Sequence, residues 1–202
     1  MAHNLLTDRL PDRITVSGRE YPVHTDFRRW ILVVELFTEN LIDVKSAADC
    51  AARIVFSEEN PLVGVCGKNT DETTVRVYRE TIRGITEFAV CGKTIRFPEA
   101  DRPEKAVPAE PVFDFTADAG RIYAAFLQVY GMDLCGTAGN LHFWKFMELL
   151  RNLPAETEFM RVVNLRRTDT AKIENDDLRR RIRRAKASVR IRKEEGKEKN
   201  YG

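Results

Sequence analysis

The sequence predicts a mainly helical protein of the small α+β type, with an N-terminal β-hairpin, a helical bundle and a basic C-terminal helix. Apolar residues recur every three or four positions in several segments, which is typical of helices with one buried face. A single hairpin pattern lies near the N-terminus, and a run of strong helix formers lies near the C-terminus. With 43% hydrophobic and 32% charged residues, the composition is that of a globular chain.

The first predicted domain, residues 1–96, opens with the β-hairpin. Two β-prone runs, Ile14 to Val16 and Tyr21 to Val23, flank a polar stretch in which Gly18 supplies the turn. Pro22 has no amide hydrogen, so the second run is expected to lie at a sheet edge.

Three helices are expected to follow the hairpin in the same domain. The first begins after Thr25 or Asp26, the second spans 46–56, and the third spans about 71–92. Gly84 lies inside the third helix, which is therefore expected to bend there or to accept a close neighbour. The residues expected to face inward are Phe27, Trp30, Ile31, Val34 and Leu41, then Ala47, Cys50, Ala51, Ile54 and Val55, and finally Val75, Tyr78, Ile82, Ile85 and Ala89.

The middle of the chain is predicted to contain a linker, residues 97–111, and an aromatic helical hairpin, residues 112–165. The linker holds four of the eight prolines and lacks an apolar period, so it is expected to be extended and acidic. In the hairpin, Thr116 is expected to cap the first helix and Gly131 to end it. The second helix is expected to begin near Asn140.

That second helix carries three aromatic residues within four positions, Phe143, Trp144 and Phe146. Adjacent helix positions diverge by about 100°, so the three side chains are not expected to point inward together. One of them would then face outward and form a patch that binds another hydrophobic protein. Coverage of this patch by the N-terminal half is the second interpretation.

The last predicted domain, residues 166–202, is a basic helix with a tail. A short helix at 156–163 and a loop at 164–173 are expected before it, and Asn175 is expected to cap a helix that continues to Glu198. Residues 166–193 include twelve Lys or Arg and four Asp or Glu, an excess of +8 in a chain whose net charge is +2. The helix combines an apolar stripe (Leu178, Ile182, Ala185 and Val189) with a candidate basic face (Arg179, Arg180, Arg183, Arg184, Lys186 and Arg190).

Three interpretations of this basic helix remain open. It is either a solvated helix docked on the body by its stripe, or a partner-binding helix, or a nucleic-acid-binding helix. In the second case Leu178, Ile182 and Val189 would enter a groove while the arginines meet an acidic partner. In the third case the arginines would contact phosphates without reading bases.

The sequence shows no pattern of a catalytic or metal site, so neither enzymatic activity nor a cofactor is expected. The glycine-lysine segments at 64–70 and 91–94 lack the spacing of a phosphate-binding loop. Asp114 and Asp118 are expected to cap a helix start and to offset its dipole. The histidines lie in separate segments, at His3, His24 and His142. The cysteines, expected to be buried free thiols, are Cys50, Cys66, Cys91 and Cys135.

No apolar run reaches the roughly 18–20 residues that a membrane span requires. The start of the sequence also lacks the cationic and apolar regions of a secretory signal. The protein is therefore expected to remain in the cytoplasm.

Three separated blocks of the sequence resemble the bacteriophage family named for gene product fifteen of a Listeria phage. They are NLLTDRLPDRITVSGREYPVHTDFRRWI, then DFTADAGRIYAAFLQVYGMDL, and then LHFWKFMELLRNLP followed by LRRTDTAKI. The resemblance covers roughly residues 4–193, but residues 61–111 match no part of the family's pattern.

The resemblance implies a function that composition and periodicity do not show. Members of the family are encoded among the tail genes of long-tailed phages and prophages, and they are similar to tail assembly chaperones. The implied function is non-enzymatic binding of the tape-measure protein, the tail-tube protein or both, in the host bacterial cytoplasm, with a homo-oligomer as a further expected assembly. A nucleic-acid-binding phage protein and a structural virion component are the alternatives.

Overall fold

The chain folds into two compact units, each of which combines segments that are distant in the sequence. In the computed structural model, unit 1 consists of Met1–Pro103 and Thr137–Arg151, and unit 2 of Glu104–Gly136 and Asn152–Gly202. The residues that the structure describes are 4–38, 43–63, 71–91, 112–136 and 141–191. They form mainly helices with one two-stranded antiparallel sheet, so the predicted fold class is confirmed.

The N-terminal hairpin forms where it was predicted, but its turn has only two residues, so the second strand begins at Arg19 and not at Tyr21. Strands β1 (Arg13–Val16) and β2 (Arg19–Pro22) pair antiparallel. Ser17 and Gly18 between them have φ angles of 50° and 78°. Two successive left-handed residues give a turn whose twist matches that of the strands, and glycine adopts this conformation without a steric cost.

The helices of the described residues have the following bounds. Unit 1 contains α1 (Phe27–Thr38), α2 (Val44–Val55), α3 (Glu72–Ala89) and α5 (Phe143–Arg151), and unit 2 contains α4 (Ala119–Tyr130), α6 (Glu158–Arg167), a short 3-10 helix (Thr170–Lys172) and α7 (Asp176–Ser188).

The hairpin packs closely against α3 in unit 1. A Cβ atom on Gly84 would lie 2.4 Å from Cγ2 of Ile14, so glycine is what allows β1 to approach the helix. Ser17 donates from its backbone N and from Oγ to the Glu80 carboxylate, at 2.5 and 3.0 Å. Of the two expected outcomes at Gly84, a bend or a close neighbour, the close neighbour is observed.

Stacked aromatic rings form the core of unit 1. Trp30 of α1 is fully buried, and its ring centroid lies 4.1 Å from that of Phe88 and 5.7 Å from that of Phe143. Phe27 stacks on Phe146 with a centroid distance of 4.6 Å. Each such ring removes roughly 150–250 Å² of surface from water, so burial is the main stabilising term in this core.

Three predicted helix faces differ from the observed ones. In α1 the buried residues are Phe27, Trp30 and Val33, while Val34 is half-buried and Leu41 lies outside the described residues. In α3 Val75 is exposed, and the buried residues are Thr81, Ile85 and Phe88. In α2 Cys50 is exposed, and the buried residues are Ala47, Ala48, Ala51, Ala52 and Val55. Because α2 packs against both α1 and α3, its buried face is wider than a single apolar stripe, and alanines on both flanks are covered.

The expectation of buried thiols is wrong for two of the cysteines. Cys91 is buried, but Cys50 and Cys135 are exposed, and none of these three is part of a disulfide bond. Cys66 lies outside the described residues.

In unit 2, α4 packs against α6, and α6 packs against α7. Gly131 ends α4 in the left-handed conformation, with a φ of 65°, as predicted. Thr157 caps α6 by accepting the Met160 amide at 3.3 Å. This helix continues to Arg167, so the loop predicted from residue 164 onward is wrong over 164–167. Basic residues in the last turn are favoured there by the helix dipole.

The division into units differs from the predicted domains. α4 and α6 belong to unit 2, whereas α5 belongs to unit 1, so the two arms of the predicted aromatic hairpin lie in different units. The physical reason is that the rings of α5 stack on those of α1, within unit 1. The predicted linker, residues 97–111, lies outside the described residues.

Within the described part of the chain, the helices are all too short or too polar to traverse a lipid bilayer.

Candidate interaction surface on the basic C-terminal helix

The helix α7 has a capped start, an acidic first turn and a basic remainder. Asn175 accepts the amide of Leu178 through its Oδ1 at 2.9 Å, as its position predicted. Asp176 and Asp177 follow, where the helix dipole favours negative charge. The whole helix holds six Arg or Lys and two Asp. It ends at Ser188, earlier than predicted, and residues 192–202 lie outside the described residues.

The apolar stripe of α7 is only partly covered. Leu178 is 48% exposed, Ile182, Ala185 and Val189 are half-buried, and no residue of the helix is fully buried. The neighbouring helix α6, by contrast, buries Phe159, Val162 and Val163. Burial therefore contributes much less to the attachment of α7 than it does to α6.

Hydrogen bonds to backbone carbonyls attach α7 to the rest of unit 2. Arg179 donates from Nη1 to the carbonyl of Ile173 at 3.2 Å, and Lys186 donates from Nζ to the carbonyl of Thr168 at 2.7 Å. At the end of the helix, the Val189 carbonyl accepts from Nε of Arg166 at 2.7 Å. Arg179 and Lys186 are thus on the docked side of α7, although the sequence placed them on the basic face.

The remaining arginines of α7 face solvent. Arg180, Arg183 and Arg184 are exposed as predicted, and so is Arg181, which the prediction omitted. Arg180 pairs with Asp177 at 2.6 Å, and Arg183 lies 3.5 Å from Oγ1 of Thr170. Among the described residues, Arg181 and Arg184 have no carboxylate partner. We call Arg180, Arg181, Arg183 and Arg184 the arginine face.

A buried ion pair between Arg166 and Asp118 lies next to the end of α7 and helps to hold it in place. Arg166 of α6 donates to both carboxylate oxygens of Asp118, from Nη1 at 2.5 Å and from Nη2 at 3.1 Å. The same guanidinium also donates to the carbonyls of Val112 and Val189, at 3.3 and 2.7 Å. Asp118 is fully buried and Arg166 is 9% exposed. One side chain therefore links the segment before α4, the start of α4 and the end of α7.

The charge state of Asp118 follows from these contacts. Its burial alone would raise the pKa of the carboxyl group, but the hydrogen bond from Arg166 and the amide of Asp114 oppose this effect. Arg121 contributes further, with its Nη1 at 2.9 Å from Asp118 Oδ1. The net result is a lowered pKa, so Asp118 is ionised at neutral pH.

Residues 6–191 of the sequence match the family described as Bacteriophage Gp15 protein, and this range includes residues 61–111, for which the sequence blocks gave no resemblance. The chain belongs to this family. It is therefore a bacteriophage protein with a structural or assembly role. Searches of curated proteins and of solved structures gave no match.

The aromatic residues that were candidates for partner binding lie inside unit 1 of this Gp15-family protein. Phe143 and Phe146 are fully buried and Trp144 is 4% exposed, so the expectation that one of them faces outward is wrong. Two helices cover different sides of α5. Phe143 and Phe146 meet rings of α1, while Trp144 donates from Nε1 to the carbonyl of Phe88 in α3 at 2.8 Å. The second interpretation, coverage by the N-terminal half, agrees with the structure.

Asp118 and Arg166 are the residues of this surface that sequence reasoning missed most clearly. Asp118 was expected to serve the helix start by capping, but its side chain makes no capping bond to α4. The partners lie 48 positions apart, beyond the range of any periodic pattern. One signal was available, because Arg166 follows the buried Val162 and Val163 at helical spacing and so lies beside the apolar face of α6.

The ring of His142 lies within hydrogen-bonding distance of two backbone groups. In His142, Nε2 lies 3.0 Å from the Pro11 carbonyl, and Nδ1 accepts the Trp144 amide at 3.1 Å. Burial is the main cause of the lowered pKa of His142, as it is for His24. Within the described residues, no group of three or more His, Cys, Asp or Glu side chains is arranged to hold a metal ion. His3 lies outside them.

Proposed function

We propose that this Gp15-family protein is a tail assembly chaperone that acts in the host cytoplasm without catalysis. It binds the tape-measure protein, the tail-tube protein or both before the tail polymerises. The proposal is based on one observation: helix α7 has an exposed arginine face beside an apolar stripe that is only half covered. Surfaces of this composition are typical of protein–protein interfaces, where arginine is enriched beside apolar contact area.

The two parts of this surface have different physical roles in the proposed binding. The arginine face attracts an acidic partner over a distance of about 8–10 Å at physiological salt and so raises the association rate. The exposed part of Leu178 and its half-buried neighbours adds apolar burial once contact is made. Because the aromatic residues of α5 are buried, the recognition is assigned to α7 instead.

Co-expression with the tape-measure protein and, separately, with the tail-tube protein of the same phage tests the proposal. We expect the tagged protein to keep one or both of them in the soluble fraction and to retain it on affinity resin. The control is the same co-expression with an unrelated helical protein of similar size and charge. Equal solubility of both tail proteins with and without the chain, together with no retention on the resin, would contradict the proposal.

Nucleic acid is the second candidate partner, because the arginine face includes two arginines without a carboxylate partner among the described residues. The salt dependence separates the two candidates. If the four arginines neutralise phosphates, affinity should fall by roughly 100-fold between 50 and 200 mM salt. Binding with a substantial apolar component should weaken much less over the same range. Detection of the chain in purified virions would instead favour the third candidate, a structural component.

A further inference from the structure

We infer that the part of the partner protein that binds α7 is an amphipathic acidic helix, with a row of carboxylates beside a row of apolar residues. This inference rests on the proposed function and names the chemistry of its partner. It follows from the positions of two different rows of side chains on the exposed part of α7.

The first row is the arginine face. At 100° per residue, its four arginines cover an arc of about 160° on the helix, and Arg180 and Arg184 are separated by about 6 Å along the axis. Carboxylates placed four residues apart on a second helix have the same axial separation. A guanidinium group also binds a carboxylate through two parallel hydrogen bonds, so these arginines favour carboxylate partners with one-turn spacing.

The second row runs next to the first. Leu178 is 48% exposed and lies three residues before Arg181, so its side chain neighbours that arginine on the helix surface. Ala185 continues the row two turns after Leu178 and is half-buried. A partner that satisfies both rows must carry an acidic row and an apolar row on the same side. A helix presents two adjacent rows along its axis, whereas one face of a strand presents a single row of alternate residues.

The exposed part of α7 favours such a partner over nucleic acid, because it places the apolar side chain of Leu178 beside the arginines, and a phosphate backbone offers only charge to match it. No aromatic side chain lies on the arginine face to stack with a base.

Two synthetic peptides of 21 residues test the inference directly with the full chain. Both contain the same numbers of Ala, Glu and Leu. In the ordered peptide Glu recurs every four residues with Leu three residues after each Glu, whereas in the scattered peptide these residues are distributed around the helix. We expect fluorescence anisotropy at 50 mM salt to show at least about tenfold tighter binding of the ordered peptide, equivalent to about 1.4 kcal/mol. Equal affinities would overturn the inference, and so would tighter binding of oligothymidylate than of the ordered peptide.

Charge-reversal variants locate the binding on α7. R181E/R184E should weaken binding of the ordered peptide at least about tenfold. The control R79E/R161E changes the net charge equally at exposed arginines of α3 and α6 and should bind like the wild type. Helical content measured by circular dichroism shows whether each variant folds, and R181Q/R184Q gives a second test without reversed charges. An unchanged affinity for both α7 variants would overturn the inference.

The same variants distinguish failure of the inference from failure of the proposed function. If wild-type chain retains a tail protein and R181E/R184E retains it equally well, the acidic-helix inference is wrong while the chaperone proposal stands. If no tail protein is retained by the wild type, the chaperone proposal fails, and the peptide affinities alone then decide the inference.

Discussion

Helices α5 and α7 are both amphipathic, but the protein uses them in opposite ways. In α5, Phe143, Phe146 and Leu150 are buried and the helix is a core element of unit 1. In α7, which is longer, no residue is buried, and side-chain hydrogen bonds to carbonyls attach the helix. Burial of a large apolar side chain contributes about 1.5–3 kcal/mol, whereas one hydrogen bond contributes about 0.5–1.5 kcal/mol. The difference indicates that α5 contributes much more to stability than α7 does, and it leaves one side of α7 exposed for the recognition that we propose.

The largest contrast is expected between Phe143→Ala in α5 and Leu178→Ala in α7. Removal of the buried Phe143 ring should lower the free energy of unfolding by about 3–5 kcal/mol, because a cavity remains beside Trp30. Leu178→Ala should cost about 1 kcal/mol or less, because the side chain is already half exposed. Urea denaturation followed by tryptophan fluorescence measures the first change in unit 1, which contains both tryptophans of the chain. If the two variants lost similar amounts of unfolding free energy, α5 and α7 would not differ in their contribution to stability.

The buried ion pair of unit 2 sets the second contrast. Arg166→Met leaves the Asp118 carboxylate buried with Arg121 as its remaining cation, and should cost roughly 2–4 kcal/mol. Arg180→Met removes an exposed ion pair with Asp177 and should cost about 1 kcal/mol or less. Far-UV circular dichroism in urea compares the two. Adding Asp118→Asn to Arg166→Met should recover part of the loss, since the unpaired charge is then absent.

Replacing either of two glycines, one in each unit, should change the stability of the protein in opposite directions. Gly84→Ala in α3 should destabilise the protein by about 1–3 kcal/mol, because the new methyl group would collide with Ile14 and outweigh the gain in helix propensity. Gly120→Ala in α4 meets no atom within 4 Å, so it should stabilise the protein by up to about 1 kcal/mol. Thermal unfolding of the two variants beside the wild type measures both shifts. A stabilising Gly84→Ala would mean that the hairpin does not lie this close to α3.

The smallest effects on stability are expected from changes in pH, and the two units should respond in different pH ranges. The pKa of His142 is lowered by burial, so its neutral form stabilises unit 1 above the unfolded pKa of about 6.5, and this stability is lost as the pH falls below that value. The pKa of Asp118 is also lowered, so the contribution of Asp118 is lost only below about pH 4. Denaturation midpoints by tryptophan fluorescence between pH 7.5 and 4.5 measure the first effect. His142→Asn, which keeps an acceptor for the Trp144 amide, should flatten this dependence.

Local signals predicted much of this fold because they act between neighbouring residues. The left-handed turn at Gly18, the end of α4 at Gly131 and the cap at Asn175 are each decided by the conformation or hydrogen bonding of a few adjacent positions. The close approach at Gly84 was one of two outcomes expected for the same reason, since a glycine within a helix has a local cost in stability that a packing contact can offset.

Long-range packing accounts for the predictions that failed. Helical spacing predicted one covered side for α5, but α1 and α3 cover different sides of it, and this arrangement is not encoded in the periodicity of α5 itself. The positions of Arg179 and Lys186 failed similarly, because the carbonyls that they bind belong to the segment before α7. The pairing of Arg166 with Asp118 joins residues far apart in the chain. In each case the deciding contact is made with a residue that lies outside the local sequence pattern.

The return of the chain to unit 1 for α5 has a consequence for synthesis on the ribosome. The ring partners of Phe27 and Trp30 on α5 are Phe146 and Phe143, which are translated more than a hundred residues later. A nascent chain that stops at residue 103 therefore contains an incomplete aromatic core and exposes apolar surface that host chaperones and proteases recognise. Truncated products of this gene should consequently be cleared from the cell, so that only chains extending past α5 accumulate.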